Sequence, residues 1–347
     1  MKLLLAPMDA ITHQAFRNLV GRFGGCDEYF NEMINASSLL NDGPWEKYYL
    51  LDGPEPQKLV WQLTDKSGDK MAEAAAILAQ KNGIGIDLNM GCSAPQIAKT
   101  GAGIAWMTKP LEETACMVRA VKSAIENAAK EGNKAKRLSV KLRLGDESYT
   151  EEKLHNFCAM LIEEGVQMLT LHARTQKQKH SRPSNWHAVE NLALRFPEIP
   201  VILNGDVKDK TSFEAAKNAA PHAHGIMIAT AAAQKPWIFA QLQAATPSSQ
   251  EIAPSLQVTD SSLRAERSNL IINTRQLALD FIDDVEKFQP EAFWKTRLQR
   301  FFAYYCLNFS FGHYFQTSML NAKDNEDARK KVHEYFEKCP NDSTTII

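Results

Sequence analysis

Cys92 is the residue whose surroundings most suggest chemistry. It lies in the stretch IDLNMGCSAPQ (86–96), where an apolar run carrying an Asp breaks off into Asn89, Met90, Gly91 and the thiol. Two readings compete: a small Cys packed at the end of a core strand, or a thiol aimed at a ligand. A free thiol has a pKa near about 8.5, so at neutral pH it is mostly protonated and can give up a proton. Other apolar runs close on polar or turn-forming residues too: Pro7 and Met8, Asn31 and Glu32, Gln62, Lys141 and Arg143, His172 and Arg174, Asn204 with Gly205 and Asp206, and Thr230 after Ala229. A single His or Lys in such a place is more often a structural hydrogen-bonder. Seven of eight runs offering polar groups at the same end are harder to explain that way, because these side chains are costly to desolvate without partners.

The elements that must position these residues follow a rhythm. Eight short apolar runs recur: KLLLAPM (2–8), DEYFNEM (27–33), KLVWQLT (58–64), GIGIDLNM (83–90), LSVKLRL (138–144), MLTLHAR (168–174), VILNGDV (201–207) and GIMIAT (225–230). The second is weakly apolar and is taken as a strand mainly for its place in the series. Helical patterns lie between them, such as THQAFRNLVGRF with Ala15, Phe16, Leu19, Val20 and Phe23 on one stripe, and LEETACMVRAVKSAIENAAKEG ending at a Gly stop. Strand and helix alternating eight times within roughly 250 residues predict an α/β fold, a closed (β/α)8 TIM barrel. No GxGxxG follows the first strand, so a doubly wound open sheet has no support. The barrel is expected over 1–245, a Pro/Ser-rich linker over 246–262, and a small helical domain without strands over 263–347.

In such a barrel the active site sits at the C-terminal ends of the strands, where the polar residues fall. The donors gathered there suit a planar, electron-accepting heterocycle with carbonyls and a phosphate. NGD (204–206) and ATAA (229–232) offer small residues at the seventh and eighth strand ends, where barrels of this class often bind phosphate. Flavin mononucleotide (FMN) fits both features, and a positive Lys141 near the ring would stabilise its anionic reduced form.

Totals exclude several classes. Lys and Arg number 40 against 41 Asp and Glu, a net charge of −1, which argues mildly against a dedicated nucleic-acid binder. The six Cys (26, 92, 116, 158, 306, 339) show no CxxC spacing, and no His/Asp/Glu set has metal-ligand spacing, so no metal is expected. No signal peptide and no run near the roughly 18 residues of a membrane span are visible, so a cytoplasmic, membrane-free protein with reduced thiols is expected.

Several blocks together resemble the tRNA-dihydrouridine synthase family. LAPMDAITHQAFR looks like its opening segment, and DLNMGCSAPQIAKTGAGIAWMTKP its signature stretch, thiol included. VKLRLG, HARTQKQ, NGDV and GIMIATAAAQKPWIF are similar to its later blocks, in order and at barrel spacing. The likeness is to bacterial synthases with a helical tail. It implies an FMN enzyme that reduces the C5–C6 bond of specific uridines in tRNA, with NADPH as hydride source; a monomer is expected. By similarity Pro7, Met8, Gln62, Lys141 and His172 surround the flavin ring. Asn204, Gly205, Asp206, Ala229 and Thr230 lie around its ribityl chain and phosphate. The same resemblance implies that Asn89 holds the uracil, that Cys92 is the general acid, and that Lys99 and Arg174 face the substrate.

The chain departs from the family in places. Ser93 follows the thiol where relatives have Pro, and His180 stands where they often carry Tyr. Ala229-Thr230-Ala231 replaces a Gly-Arg-Gly whose Arg binds phosphate, so a bidentate cation is lost. The resemblance makes residues 263–347 a tRNA-binding domain, although its 12 Lys/Arg and 12 Asp/Glu from 262 onward balance. EAFWKTRLQRFFAYY places Lys295, Arg297 and Arg300 beside Trp294, Phe301 and Phe302, suiting phosphate contact and base stacking. An amphipathic helix with an aromatic core face and solvated basic residues explains the same pattern and is the preferred reading. Two other functions stay open: an FMN barrel oxidoreductase acting on a small molecule, and a degenerate, non-catalytic tRNA-binding homologue.

Overall fold

The computed structural model describes residues 1–53, 55–178, 182–244 and 271–346. The expected linker at 246–262 and His180 lie outside these residues. Nine parallel strands form the main sheet: β1 (Lys2–Leu5), β2 (Glu28–Phe30), β3 (Ile34–Asn35), β4 (Leu59–Thr64), β5 (Gly85–Met90), β6 (Arg137–Gly145), β7 (Met168–Thr175), β8 (Val201–Asn204) and β9 (Gly225–Ile228). Pairing runs β2-β1-β9-β8-β7-β6-β5-β4, and β2 pairs with β4 in turn, so eight strands close into the expected (β/α)8 barrel. β3 is a two-residue extension beside the end of β4. The weakly apolar DEYFNEM run yields only the three residues of β2.

Strand side chains alternate between two faces, and this sorts the interior into rungs. Leu4, Ala6, Phe30, Val60, Met168, Ile202 and Met227 form a separate inner cluster that plugs the barrel. Two residues further along the same faces come polar side chains: Gln62 after Val60, Thr170 and His172 after Met168, Asn204 after Ile202. On β5 and β6, Asp87 and Asn89, then Ser139, Lys141 and Arg143, keep the same alternation. The outward faces carry Trp61, Ile86, Leu88, Val140, Leu169 and Leu171, all buried under the helices. An apolar plug below and a polar rung above place the chemistry at one rim.

The helices cover the barrel by amphipathic burial. Leu111–Lys130 buries Ala115, Met117, Val118, Val121, Ile125 and Ala128, carries Glu112 and Glu113 in its first turn, and stops before Gly132 at φ +93°. Beyond the barrel, helices Thr274–Phe288, Glu291–Tyr305, Gly312–Leu320 and Asn325–Lys338 pack together around Phe281, Phe301, Phe302, Phe315 and Tyr335.

The expectation that this segment holds no strand is corrected. β10 (Ile271–Asn273) pairs antiparallel with β11 (Thr344–Ile346). Ile271 and Ile346 are exposed and Ile272 is the ribbon's one buried residue, so strands this short leave too little pattern to read. Phe301 and Phe302 are buried, as the aromatic-core reading of helix Glu291–Tyr305 expects, and Lys295 and Arg300 are exposed; Arg297, expected among the solvated basic residues, is instead buried.

Docking of this helical segment centres on a buried ion pair. Arg297 donates from both terminal nitrogens to Glu32 at 2.6 and 2.9 Å and from Nε to Gln289 at 3.1 Å. Its guanidinium also lies over the Tyr49 and Phe293 rings. Glu32 in turn accepts from the backbone N–H of Ala10 at 2.9 Å, on the loop that carries Pro7 and Met8. Burial pushes the Glu32 carboxyl up, and the Arg297 charge opposes that shift.

Candidate active site at the barrel mouth

A cleft of about 330 Å³ opens at the C-terminal ends of the strands. Pro7, Lys141, His172, Arg174, Asn204, Gly205, Asp206, Ala229 and Thr230 line it, together with Lys208, which sequence reasoning did not single out. Gly205 has φ +118°, and a Cβ there would lie 2.6 Å from Ser184 Oγ and 3.1 Å from His172 Cδ2. Any side chain at 205 would therefore strain the backbone and crowd the wall of the cleft.

On one side, Arg174 is fully engaged. It reaches both oxygens of Asp206 at 2.5 and 2.6 Å, the Arg182 carbonyl at 2.6 Å, and His172 Nε2 at 3.1 Å. Asp206, in the left-handed region at φ +64°, also accepts from the Ser184 N–H at 2.6 Å. Asn204 donates to the Met227 carbonyl at 2.8 Å, joining the ends of β8 and β9. Arg174, expected to face the substrate, lines the cleft while holding Asp206 and His172.

Facing it is a hydrogen-bond chain whose polarity is forced. The N–H groups of Gly91 and Cys92 donate to Asn89 Oδ1 at 3.2 and 2.9 Å. Asn89 Nδ2 must then be the donor to Gln62 Oε1, at 2.9 Å, and Gln62 Nε2 the donor to Asp87, at 2.7 Å. Ser139 Oγ donates to the other Asp87 oxygen at 2.7 Å, and Asn31 Oδ1 accepts from the Gln62 backbone at 2.7 Å. Asp87 is fully buried, and desolvation raises its pKa to about 6 against the hydrogen bonds from Gln62 and Ser139. Asp87 was visible in sequence as an acid within an apolar run. Its role was not, because its partners lie 25 and 52 residues away.

The thiol loop rides on this chain. Cys92 is half-buried, and burial is the main cause that raises its pKa above the ordinary value, so the thiol is protonated at neutral pH. Its carbonyl accepts from the Ile104 N–H at 3.0 Å. Gly103, at φ +61°, lies so close that a Cβ there would sit 2.6 Å from that carbonyl oxygen. Arg143 Nε holds the Gly91 carbonyl at 2.9 Å, while its Nη1 is buried with no partner among the described residues. Lys141 Nζ also has no hydrogen bond or ion pair among the described residues. Burial first, then Arg143, lowers its pKa to about 8, while Asp87 and Cys92 pull the other way.

The remaining expected residues lie around this centre. Cys92 and Asn89, at the end of β5, and Gln62 on β4 stand one and two strands from Lys141 and do not line the cleft. Met8 is half-buried, with its N–H on Thr12 Oγ1 at 2.9 Å. Lys99 is exposed just past the short helix Pro95–Ala98 that follows the thiol. Among the described residues no group of three or more His, Cys, Asp or Glu could hold a metal, and no helix is long and apolar enough to cross a membrane.

Residues 4–304 match the family model described as dihydrouridine synthase. The chain belongs to the dihydrouridine synthase family. A probable tRNA-dihydrouridine synthase of Aquifex aeolicus is 31% identical over 245 residues, covering 70% of this chain and 72% of its own. Another, from Rickettsia typhi, is 31% identical over 289 residues, covering 80% and 79%. Among solved structures, an old yellow enzyme homologue from Zymomonas mobilis superposes with a TM-score of 0.50 at 13% identity, covering 72% of this chain and 90% of that one. That likeness is one of fold.

Proposed function

We propose that this protein reduces the C5–C6 double bond of uridine in tRNA to dihydrouridine, holding FMN in the barrel-mouth cleft and drawing its hydride from NADPH. Family membership supports the reaction, which makes the protein an oxidoreductase, and the names of its relatives support tRNA as substrate. The observation that carries the chemistry is a half-buried thiol on a loop tied to Asn89 and Arg143, with Lys141 and Arg143 as its nearby charges.

The cleft suits FMN. Lys141, without a partner of its own, is placed for an electron-rich ring edge. The bare Gly205 backbone lets a ligand approach, and Asn204, Ala229 and Thr230 leave room towards β9. When bound, the flavin supplies the hydride that goes to uracil C6. Hydride addition leaves an enolate-like anion that needs a proton at C5 from the opposite face. Cys92 gives that proton, and its raised pKa keeps it loaded at neutral pH. Asn89 spends its oxygen on the Cys92 loop and one N–H on Gln62, which leaves its second N–H for a uracil carbonyl. The positive charge of Arg143 favours the developing anion. Outside the cleft, Lys99, Lys295 and Arg300 are exposed cations for the RNA backbone, and the helical segment carries part of the tRNA contact.

The test is mass mapping of dihydrouridine positions in tRNA from cells with and without the gene. Loss of dihydrouridine at defined positions, restored by the wild-type gene, is expected. An unchanged map would reject the proposal.

A further inference from the structure

We propose that Lys208 binds the cofactor phosphate, replacing the cation absent from the Ala229-Thr230-Ala231 segment. This rests on the reading of the cleft as an FMN site. Lys208 follows β8 and lines the cleft together with Ala229 and Thr230 at the end of the neighbouring β9. Its Nζ has no hydrogen bond or ion pair among the described residues.

Its backbone cannot serve instead, because the Lys208 N–H is spent on Ser212 Oγ at 2.9 Å. Asp209 caps the next helix through Ser212, at 2.8 Å from its N–H, which fixes the base from which the Lys208 side chain extends. The nearby carboxylates are occupied: Asp206 by Arg174 and Ser184, Asp209 by Ser212.

The charges lining the cleft are Lys141, Arg174 and Lys208 against Asp206 alone, and Arg174 and Asp206 neutralise each other. Lys141 and Lys208 remain as lining cations without an ion-pair partner among the described residues, although the Asp87 charge acts on the first and Asp209 stands beside the second. They stand on β6 and just past β8, two ladder steps apart, roughly 10 Å along the wall. That separation suits a ligand with an electron-rich ring at one end and a dianionic phosphate at the other. Thr230 offers only a short hydroxyl, whereas the four-carbon stem of a lysine lets it reach over the cleft as a mobile point charge.

The experiment titrates cofactor-stripped protein with FMN and with riboflavin, which lacks the phosphate, following quenching of flavin fluorescence. Wild type should prefer FMN. Lys208→Met should weaken FMN at least tenfold, leave riboflavin affinity within twofold, and keep the wild-type melting temperature. Lys208→Arg should retain the preference. FMN affinity unchanged in Lys208→Met, or FMN and riboflavin weakened alike, would overturn the role of Lys208 while leaving the flavin reading intact. Wild type that binds neither flavin would overturn both.

Discussion

At the scale of single residues, the site is a set of charges held at unusual values by burial. Lys141 is the clearest case, with its pKa lowered to about 8 by desolvation and by Arg143. The ammonium therefore loses its proton as pH rises through about 8, before the Cys92 thiol, whose pKa burial raises. The pH profile of kcat/KM is expected to show an alkaline limb near 8, and Lys141→Arg should move that limb upward, because a guanidinium stays charged. A limb unchanged in that variant would show that another group sets it.

Asp87 gives a matching prediction for stability. Its pKa rises from 3.8 to about 6 on folding, so between those values the native state binds more protons than the unfolded one. Stability should then fall as pH rises through that window, by roughly 3 kcal/mol at most. Asp87→Asn keeps the chain intact, since Oδ1 can accept from Gln62 while Nδ2 donates to a turned Ser139 hydroxyl. The variant is expected to lose most of that slope, as read from urea midpoints at pH 4.5 and 7. A slope equal to wild type would place the titration elsewhere.

At the scale of elements, the thiol loop is shaped by what packs beneath it. A methyl at Gly103 meets the Cys92 carbonyl at 2.6 Å, on a backbone at φ +61°. Gly103→Ala should cost on the order of 1–3 kcal/mol of local strain and shift the thiol. The expected readout is a larger fall in kcat than rise in KM for tRNA, since of the cations offered to RNA only Lys99 lies on this loop while Lys295 and Arg300 are elsewhere. A drop in tRNA affinity with kcat unchanged would contradict this.

The strands were legible because buried parallel strands read as apolar runs, and their polar ends stood out against them. Two features hid: β2 is only three residues flanked by acids, and β10 and β11 are three residues each with Ile272 as their one buried residue, too short a run for a burial pattern to stand out. The links from Asp87 through Gln62 to Asn89 hid too: each partner was visible, but their polarity depends on register between strands far apart in sequence.

At the scale of the whole molecule, the helical segment and the barrel act as one body through Glu32 and Arg297, 265 residues apart. No local pattern could reveal that pair. In sequence Arg297 read as a solvent-facing basic residue, whereas it is buried against Glu32. Removing one partner leaves the other charged and desolvated, so Arg297→Met or Glu32→Gln should cost about 3–5 kcal/mol. Thermal melting would show a clear drop in Tm, and an unchanged Tm would mean the pair adds nothing. Because Glu32 also holds the Ala10 N–H, the same variants should loosen the loop carrying Pro7 and Met8 and weaken flavin retention.

The most direct test of the account is Cys92→Ala, assayed with purified protein, FMN, NADPH and unmodified tRNA. The variant is expected to keep its bound flavin and tRNA affinity while dihydrouridine formation falls by at least about a hundredfold. Turnover equal to wild type would mean that the proton comes from another group and that the thiol at the barrel rim is only a packing residue.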